Sequence, residues 1–317
     1  MKNYENILRE MTNTGAYIFG EVLDASAADE LYKKATTNQI FGPELFLSED
    51  EYRANPQHKG VNPRKGRNYI EQFDAELMFV ENDIHLQSVL KQLLGNDYTI
   101  FDKKFVCGVP NKWLPQWLKT SLKGSPINNL GAYIRPEYRN ITYFHGIDFH
   151  QDNIDWPREN GSVNAEELIT LYIYIHAVGA HDSPLYLMPK SHKLGATRFP
   201  HKLVRKGENL DLWNYTDDQG STIECNHLTL TGEVGYCAIW HSATLHGTRG
   251  IINDENEGEE MRLSLRYLLR RSSSAKRTGL DVINDNIGRE LDLAVTRVDL
   301  DDDGKVKVKK NIIEGQI

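Results

Sequence analysis

The chain has 317 residues, 39% hydrophobic and 26% charged, with 45 acidic against 37 basic side chains and a formal charge of −8. That length can bury a substantial core, the acidic balance argues against nucleic acid as a partner, and no apolar run approaches the roughly 20 residues that a membrane-spanning helix needs. Cys107, Cys225 and Cys237 are odd in number and widely spaced, so neither a disulfide framework nor a zinc cluster is expected; no leader is read at the N-terminus, and the expected compartment is cytoplasmic.

Residues 1–36 read as helix, strand, helix. Gly15-Ala-Tyr-Ile-Phe is the strand, and Asp24 is the expected N-cap of a helix over 25–35. Residues 40–75 are polar, with Pro43, Pro56 and Pro63, and read as a surface loop. Residues 83–95 carry apolar side chains at helical spacing and end on Gly95, a good C-cap. Short β-rich segments then follow over 98–109, 132–135, 141–150, 168–178, 185–188, 235–240 and 261–269. Their order and turn content predict a mainly β chain with helical decoration, a jelly-roll of two antiparallel sheets. In 168–176, Thr170, Tyr172, Tyr174 and His176 share one face, and Leu171, Ile173 and Ile175 share the other. The expected organisation is a single domain over 1–317: a helical and loop region over 1–97, the β core over 98–270 and a β-hairpin over 291–310. Asp299, Asp301, Asp303 and Gly304 imitate half of a calcium loop, but Lys310 stands where its bidentate glutamate belongs, and calcium is rejected.

The chemistry centres on His150-Gln151-Asp152. A strand puts residues i and i+2 on one face, so the imidazole and the carboxylate can converge on one ion. His246, 94 residues after Asp152, supplies a second imidazole. Two nitrogens and one oxygen on one side of a metal leave three positions open, which suits non-haem Fe(II) with O2 and a bidentate cosubstrate. His145, His176, His181, His192 and His241 are read instead as hydrogen-bonded structural residues.

Four passages together resemble the phytanoyl-CoA dioxygenase-like branch of the Fe(II)/2-oxoglutarate oxygenases. They are the Gly15 strand with its following helix, Phe149-His-Gln-Asp152, the turn Ser183-Pro-Leu-Tyr-Leu-Met-Pro-Lys-Ser-His-Lys-Leu-Gly195, and Gly232 to Thr248 leading through His246. Lys190 stands where the family's turn has glycine. The resemblance covers about residues 10–36 and 98–270. It implies a double-stranded β-helix, with Fe(II) held by His150, Asp152 and His246, and 2-oxoglutarate and O2 as cosubstrates. The far carboxylate of 2-oxoglutarate needs a cation. Arg262 is the expected partner, with Ser264 beside it in an R-x-S pair, and Arg266 is the alternative because an acidic insertion over 253–260 disturbs the spacing from His246. Thr248, Thr170 and Tyr172 are candidate hydroxyl donors to the cosubstrate.

The implied reaction is hydroxylation of an unactivated carbon with release of succinate and CO2, since Asp152 is present where related halogenases lack the acid. Desaturation and cyclisation at the same centre stay open, as does a non-catalytic jelly-roll that binds a carboxylated ligand. The substrate is expected to be a small anionic metabolite, because residues 103–139 hold seven basic side chains, including Lys103, Lys104, Arg135 and Arg139, against the single acid Glu137. Arg135, Arg139, Trp156 and Arg158 are the candidate substrate contacts.

Overall fold

A computed structural model describes residues 4–55, 69–123, 127–152, 167–197, 200–207, 211–248, 261–288 and 311–314. In chain order the described strands are β1 (Ala16–Glu21), β2 (Thr99–Gly108), β3 (Ile127–Asn129), β4 (Thr142–His150), β5 (Leu168–Tyr174), β6 (Leu185–Leu187), β7 (Lys202–Arg205), β8 (Leu212–Thr216), β9 (Thr222–Asn226), β10 (Leu228–Leu230), β11 (Tyr236–His241), β12 (His246–Thr248), β13 (Arg262–Arg270) and β14 (Ile312–Glu314). The helices are α1 (Tyr4–Thr14), α2 (Ala25–Asn38), α3 (Glu49–Ala54), α4 (Met78–Glu81), α5 (Ile84–Leu94), α6 (Gln116–Leu122) and α7 (Gly279–Asn284). No described helix is long and apolar enough to cross a membrane.

Ten strands form one large sheet in the order β1-β11-β5-β13-β2-β4-β12-β6-β10, with β3 added beside β4. This is the expected jelly-roll, with one difference. Its two halves are joined through a parallel pairing of β2 with β4, Val106 opposite Thr142 and Gly108 opposite Phe144, rather than by antiparallel ladders throughout. A second sheet, β14-β7-β8-β9, lies apart from that order, and its β14 runs parallel to β7.

The alternation in β5 sorts its side chains as the sequence predicts. Leu171, Ile173 and Ile175 enter the main core, with Leu31 and Ala35 of α2, Leu90 and Leu93 of α5, and Leu263 and Leu265 of β13. Each such aliphatic side chain, fully removed from water, stabilises the fold by about 1.5–3 kcal/mol. Tyr172 and Tyr174 point the other way, into a separate cluster with Leu187, Leu230 and Trp240. A third cluster joins Phe149 of β4 and Leu245 to Leu203, Trp213 and Tyr215 of the small sheet.

Asp24 caps α2 by accepting from the backbone N–H of Ser26 and Ala27, and Gly95, at φ +95°, ends α5. Two expectations change. The stretch 40–75 holds α3, closed by a capping box between Ser48 and Glu51, besides a loop. Residues 132–135 are not a strand: Ala132 and Tyr133 belong to the 3-10 turn Gly131–Tyr133, and a second turn, Pro136–Tyr138, follows at once; Pro136 brings no ladder donor. The hairpin expected over 291–310 lies outside the described residues.

Lys190 adopts the left-handed conformation, φ +79°, where a Cβ is strained and glycine is not. Lys190→Gly is therefore expected to raise stability by about 0.5–1 kcal/mol, since strain relief outweighs the added unfolded-state entropy; chemical denaturation measures it.

Two buried histidines clamp the N-terminal segment and α7 to the barrel. His192 Nε2 meets Thr12 O at 3.3 Å, and His241 Nε2 donates to Asn284 Oδ1 at 2.9 Å while its Nδ1 accepts from Ala243 N at 3.1 Å. Burial lowers both, with the neighbouring His241 adding to the effect on His192: His192 falls to about 3 and His241 to about 4. Their unfolded-state value is near 6.5. Below that pH the unfolded chain binds protons that the folded chain refuses, so stability present above pH 6.5 is lost as pH falls towards 4, by up to about 1.4 kcal/mol per pH unit for each group. Thermal melts in the presence of a chelator should show this slope, and His241→Gln should flatten it.

Candidate metal centre

The three singled-out residues, His150 at the end of β4, Asp152 just beyond it and His246 at the start of β12, meet at one point. His246 stands opposite His150 in the β4–β12 pair, and one donor atom each from His150, Asp152 and His246 lie within 4.8 Å of one another. His246 Nε2 is 3.4 Å from Asp152 Oδ2, and His150 Nε2 is 4.0 Å from Asp152 Oδ1. Each imidazole is oriented from behind: His150 Nδ1 donates to Asp148 O at 2.9 Å and His246 Nδ1 to Thr244 O at 3.0 Å. A carbonyl can only accept, so the proton is fixed on Nδ1 and the Nε2 lone pairs face Asp152.

Burial, with the charge of His246 next, pushes His150 down to about 3, so its imidazole is neutral and free to coordinate at physiological pH. Burial works against the charge on Asp152. Arg266, then His246 and His150, outweigh it and hold the carboxyl well below the usual carboxylate range. The pairing is direct: Arg266 Nη2 lies 3.2 Å from Asp152 Oδ1, and its Nη1 donates to Asp102 Oδ2 of β2, also at 3.2 Å. Thr170 Oγ1 donates to Asp152 Oδ2 at 3.1 Å. The carboxylate is thus held at both oxygens, as an orienting shell for a metal ligand requires.

Away from the triad, aromatic rings lead to a second polar pocket. Trp240 lies 5.2 Å from the His246 ring and 5.8 Å from Tyr172, and the Tyr172 ring lies 5.8 Å from the guanidinium carbon of Arg262. Arg262 is 1% exposed. Its Nη1 donates to Ser183 O, and among the described residues it has no carboxylate partner. Arg262 Nε, Ser264 Oγ, Tyr172 Oη and Trp240 Nε1 are all buried without a hydrogen-bond partner. A buried cation ringed by unsatisfied donors is costly unless an anion completes it.

The family model described as phytanoyl-CoA dioxygenase (PhyH) matches residues 139–256, a stretch that contains His150, Asp152 and His246. Over that stretch the chain is phytanoyl-CoA dioxygenase-like, and with the His-Asp-His triad it is read as an Fe(II)/2-oxoglutarate-dependent oxygenase. No curated protein sequence matches it. Among solved structures, the epimerase SnoN in complex with Fe3+, alpha ketoglutarate and nogalamycin RO is similar at a TM-score of 0.50 and 14% identity, over 89% of each chain. EctD from S. alaskensis with bound Fe aligns at a TM-score of 0.46 and 12% identity, over 87% of this chain and 79% of that one. The carbocyclase SnoK from nogalamycin biosynthesis aligns at 0.42 and 11%, over 85% and 86%. The likeness to SnoN is one of fold.

The donor set fits Fe(II), since two imidazoles and a carboxylate suit that ion. The other sequence-selected residues divide. Ser264 and Tyr172 sit at the Arg262 pocket with idle hydroxyls. Thr170 touches the triad itself. Thr248, expected as a donor to the cosubstrate, accepts the N–H of Ile147 at 3.0 Å and braces β12 against β4, a bond that leaves its own hydroxyl proton unused. Arg266, the alternative cosubstrate partner, spends its guanidinium on Asp152 and Asp102. Arg135 pairs with both carboxylate oxygens of Glu51, and Arg139 donates to Ile134 O and Ala132 O, so both bind local loop groups rather than line the triad. Trp156 and Arg158 lie outside the described residues. Asp102 and Ser183 were missed; Asp102 becomes visible only once β2 is in register beside β13.

Removing Arg266 leaves two nearly buried carboxylates without their cation. Arg266→Ala should cost about 3–5 kcal/mol of stability in urea denaturation, with a smaller loss for Arg266→Lys.

Proposed function

We propose that this oxygenase hydroxylates an unactivated carbon of a small anionic metabolite, with His150, Asp152 and His246 as iron ligands and Arg262 as the anchor of 2-oxoglutarate. The observation that carries the reading is the buried Arg262 with no carboxylate partner among the described residues, connected to the triad by Tyr172 and Trp240. Arg262 would take the far carboxylate in two parallel hydrogen bonds, with Ser264 and Tyr172 supplying hydroxyl donors. Iron with 2-oxoglutarate and O2 supplies the oxidising chemistry, releasing succinate and CO2; the chain's own part is to hold, orient and keep water out. Asp152, locked by Arg266 and Thr170, keeps a carboxylate on the metal, which favours oxygen transfer to carbon over halogenation.

The anionic substrate rests on less of the basic stretch than its composition suggests. Lys103 is paired with Asp74 and Glu81, each at 3.0 Å, and Arg135 with Glu51. Lys104 stands opposite Arg266 in register, on the side of β2 that carries Asp102. Desaturation or cyclisation would use the same centre, and product mass separates them from hydroxylation, which adds one oxygen atom.

The first test is anaerobic binding of Fe(II) and 2-oxoglutarate, followed through the visible charge-transfer band of the chelate, then succinate release. Arg262→Ala should weaken 2-oxoglutarate binding by roughly 100-fold, as expected for a truncated buried charge pair, while Fe(II) affinity changes little. A folded Arg262→Ala chain that binds 2-oxoglutarate as tightly as wild type would overturn the assignment, and weakened 2-oxoglutarate binding at unchanged Fe(II) affinity in Arg266→Ala alone would transfer it to Arg266.

A further inference from the structure

The pairing of β4 with β12 slips immediately before His150. His246 lies opposite His150 and Thr248 opposite Ile147, so Gly247 faces two residues, Asp148 and Phe149. That is a β-bulge, a device that bends a strand and re-aims the next side chain. Gly247 permits it: a Cβ there would stand 2.8 Å from Ile147 O and 3.2 Å from both Asp148 C and Phe149 N, all backbone atoms that cannot give way.

A bulge leaves ladder groups unpaired, and burying them unpaired is costly. At this one they are satisfied from outside the ladder. Phe149 N donates to Asp148 Oδ1 at 2.8 Å, and the side-chain amide of Asn311 donates to Phe149 O at 2.7 Å. Asn311 N donates to the other Asp148 oxygen at 3.3 Å, and Asn311 Oδ1 accepts from His201 N at 2.8 Å. Asn311 is 5% exposed. It is pinned in turn by β14: Ile312 N donates to His201 O, the strand runs along β7, and Ile313 packs on the cluster that contains Phe149. The bulged Asp148 carbonyl is the group that fixes His150 Nδ1.

We infer that Asn311, delivered by the C-terminal strand β14, is a positioning residue of the metal centre: it locks the Asp148–Phe149 bulge that aims His150 at Asp152 and His246. The inference rests on the iron-site reading above. It gives the C-terminal segment, more than 60 residues beyond His246 in sequence, a part in iron binding without contact to the metal.

The test compares Asn311→Ala with Ile313→Ala in the full chain. Both loosen β14, but only the first removes the amide from the bulge. Read out thermal stability, anaerobic Fe(II) affinity, the visible spectrum of the Co(II)-substituted protein, and amide exchange at Phe149 and His150. Asn311→Ala is expected to weaken Fe(II) binding about 10- to 100-fold, the usual effect of losing an outer orienting partner, and to change the Co(II) spectrum. Ile313→Ala, at a similar loss of stability, should leave both near wild type. Asn311→Ser keeps one short donor, should fall between, and serves if the alanine variant does not fold. Equal Fe(II) affinity and an unchanged Co(II) spectrum in a folded Asn311 variant would overturn the inference, as would equal losses in the Asn311 and Ile313 variants. Failure of the iron-site reading looks different: wild type would take up no Fe(II), or His150→Ala would bind it as well as wild type.

Discussion

The burial of Asp152 is the constraint around which the barrel interior is arranged. A carboxylate at 6% exposure loses hydration that only fixed cations and donors can replace. Arg266 and Thr170 supply part of that replacement, and two imidazoles held with their Nε2 atoms forward complete the surroundings. Each partner comes from a different strand: Arg266 from β13, Thr170 from β5, His246 from β12. The register of the large sheet is therefore specified twice, by its hydrophobic face and by this charge, and a slip of one residue would destroy both.

The two arginines of β13 divide the interior between them. They are four apart and share a face, yet their surroundings differ. Arg266 lies between Asp152 and Asp102 and is neutralised within the protein. Arg262 is more deeply buried and meets carbonyl, hydroxyl and aromatic groups instead. A cation whose partners are already present is built for structure, and one surrounded by idle donors is built for a ligand. This difference in partners, more than spacing from His246, is what supports the proposed assignment of Arg262 to the cosubstrate.

Much of this was legible in the sequence because it depends on local periodicity. The period-2 pattern of β5 separated core from cavity residues, and His150-x-Asp152 put two ligands on one side of β4. Spacing does not separate Arg262 from Arg266, because what distinguishes them is Asp102, a residue 164 positions before Arg266 that reaches it only through β2–β13 pairing. Thr248 has a bracing role that spacing does not show: beside the bulge opposite Gly247, its hydroxyl accepts from the backbone of β4. The small sheet and β14 gave weak signals, since strands of three to five residues alternate too briefly to stand out. Lys190 was noted as a departure from the family's glycine, and it holds the left-handed backbone that a glycine would take without strain.

For a triad that holds Fe(II) and an Arg262 that anchors 2-oxoglutarate, as proposed, the charges on the triad side would couple the two. Asp102 and Asp152 are balanced by Arg262 and Arg266, so these four groups sum to zero. A dication alone would add two uncompensated positive charges to a low-dielectric interior, and a dianion alone would add two negative ones; each raises the cost of the other's absence. Together they would restore neutrality. Coupling of this kind is reciprocal by thermodynamic necessity. The pairing of Arg266 with Asp102 makes it possible: were Arg266 left to find its own anion, the site would carry one more positive charge and hold 2-oxoglutarate with less need of the metal.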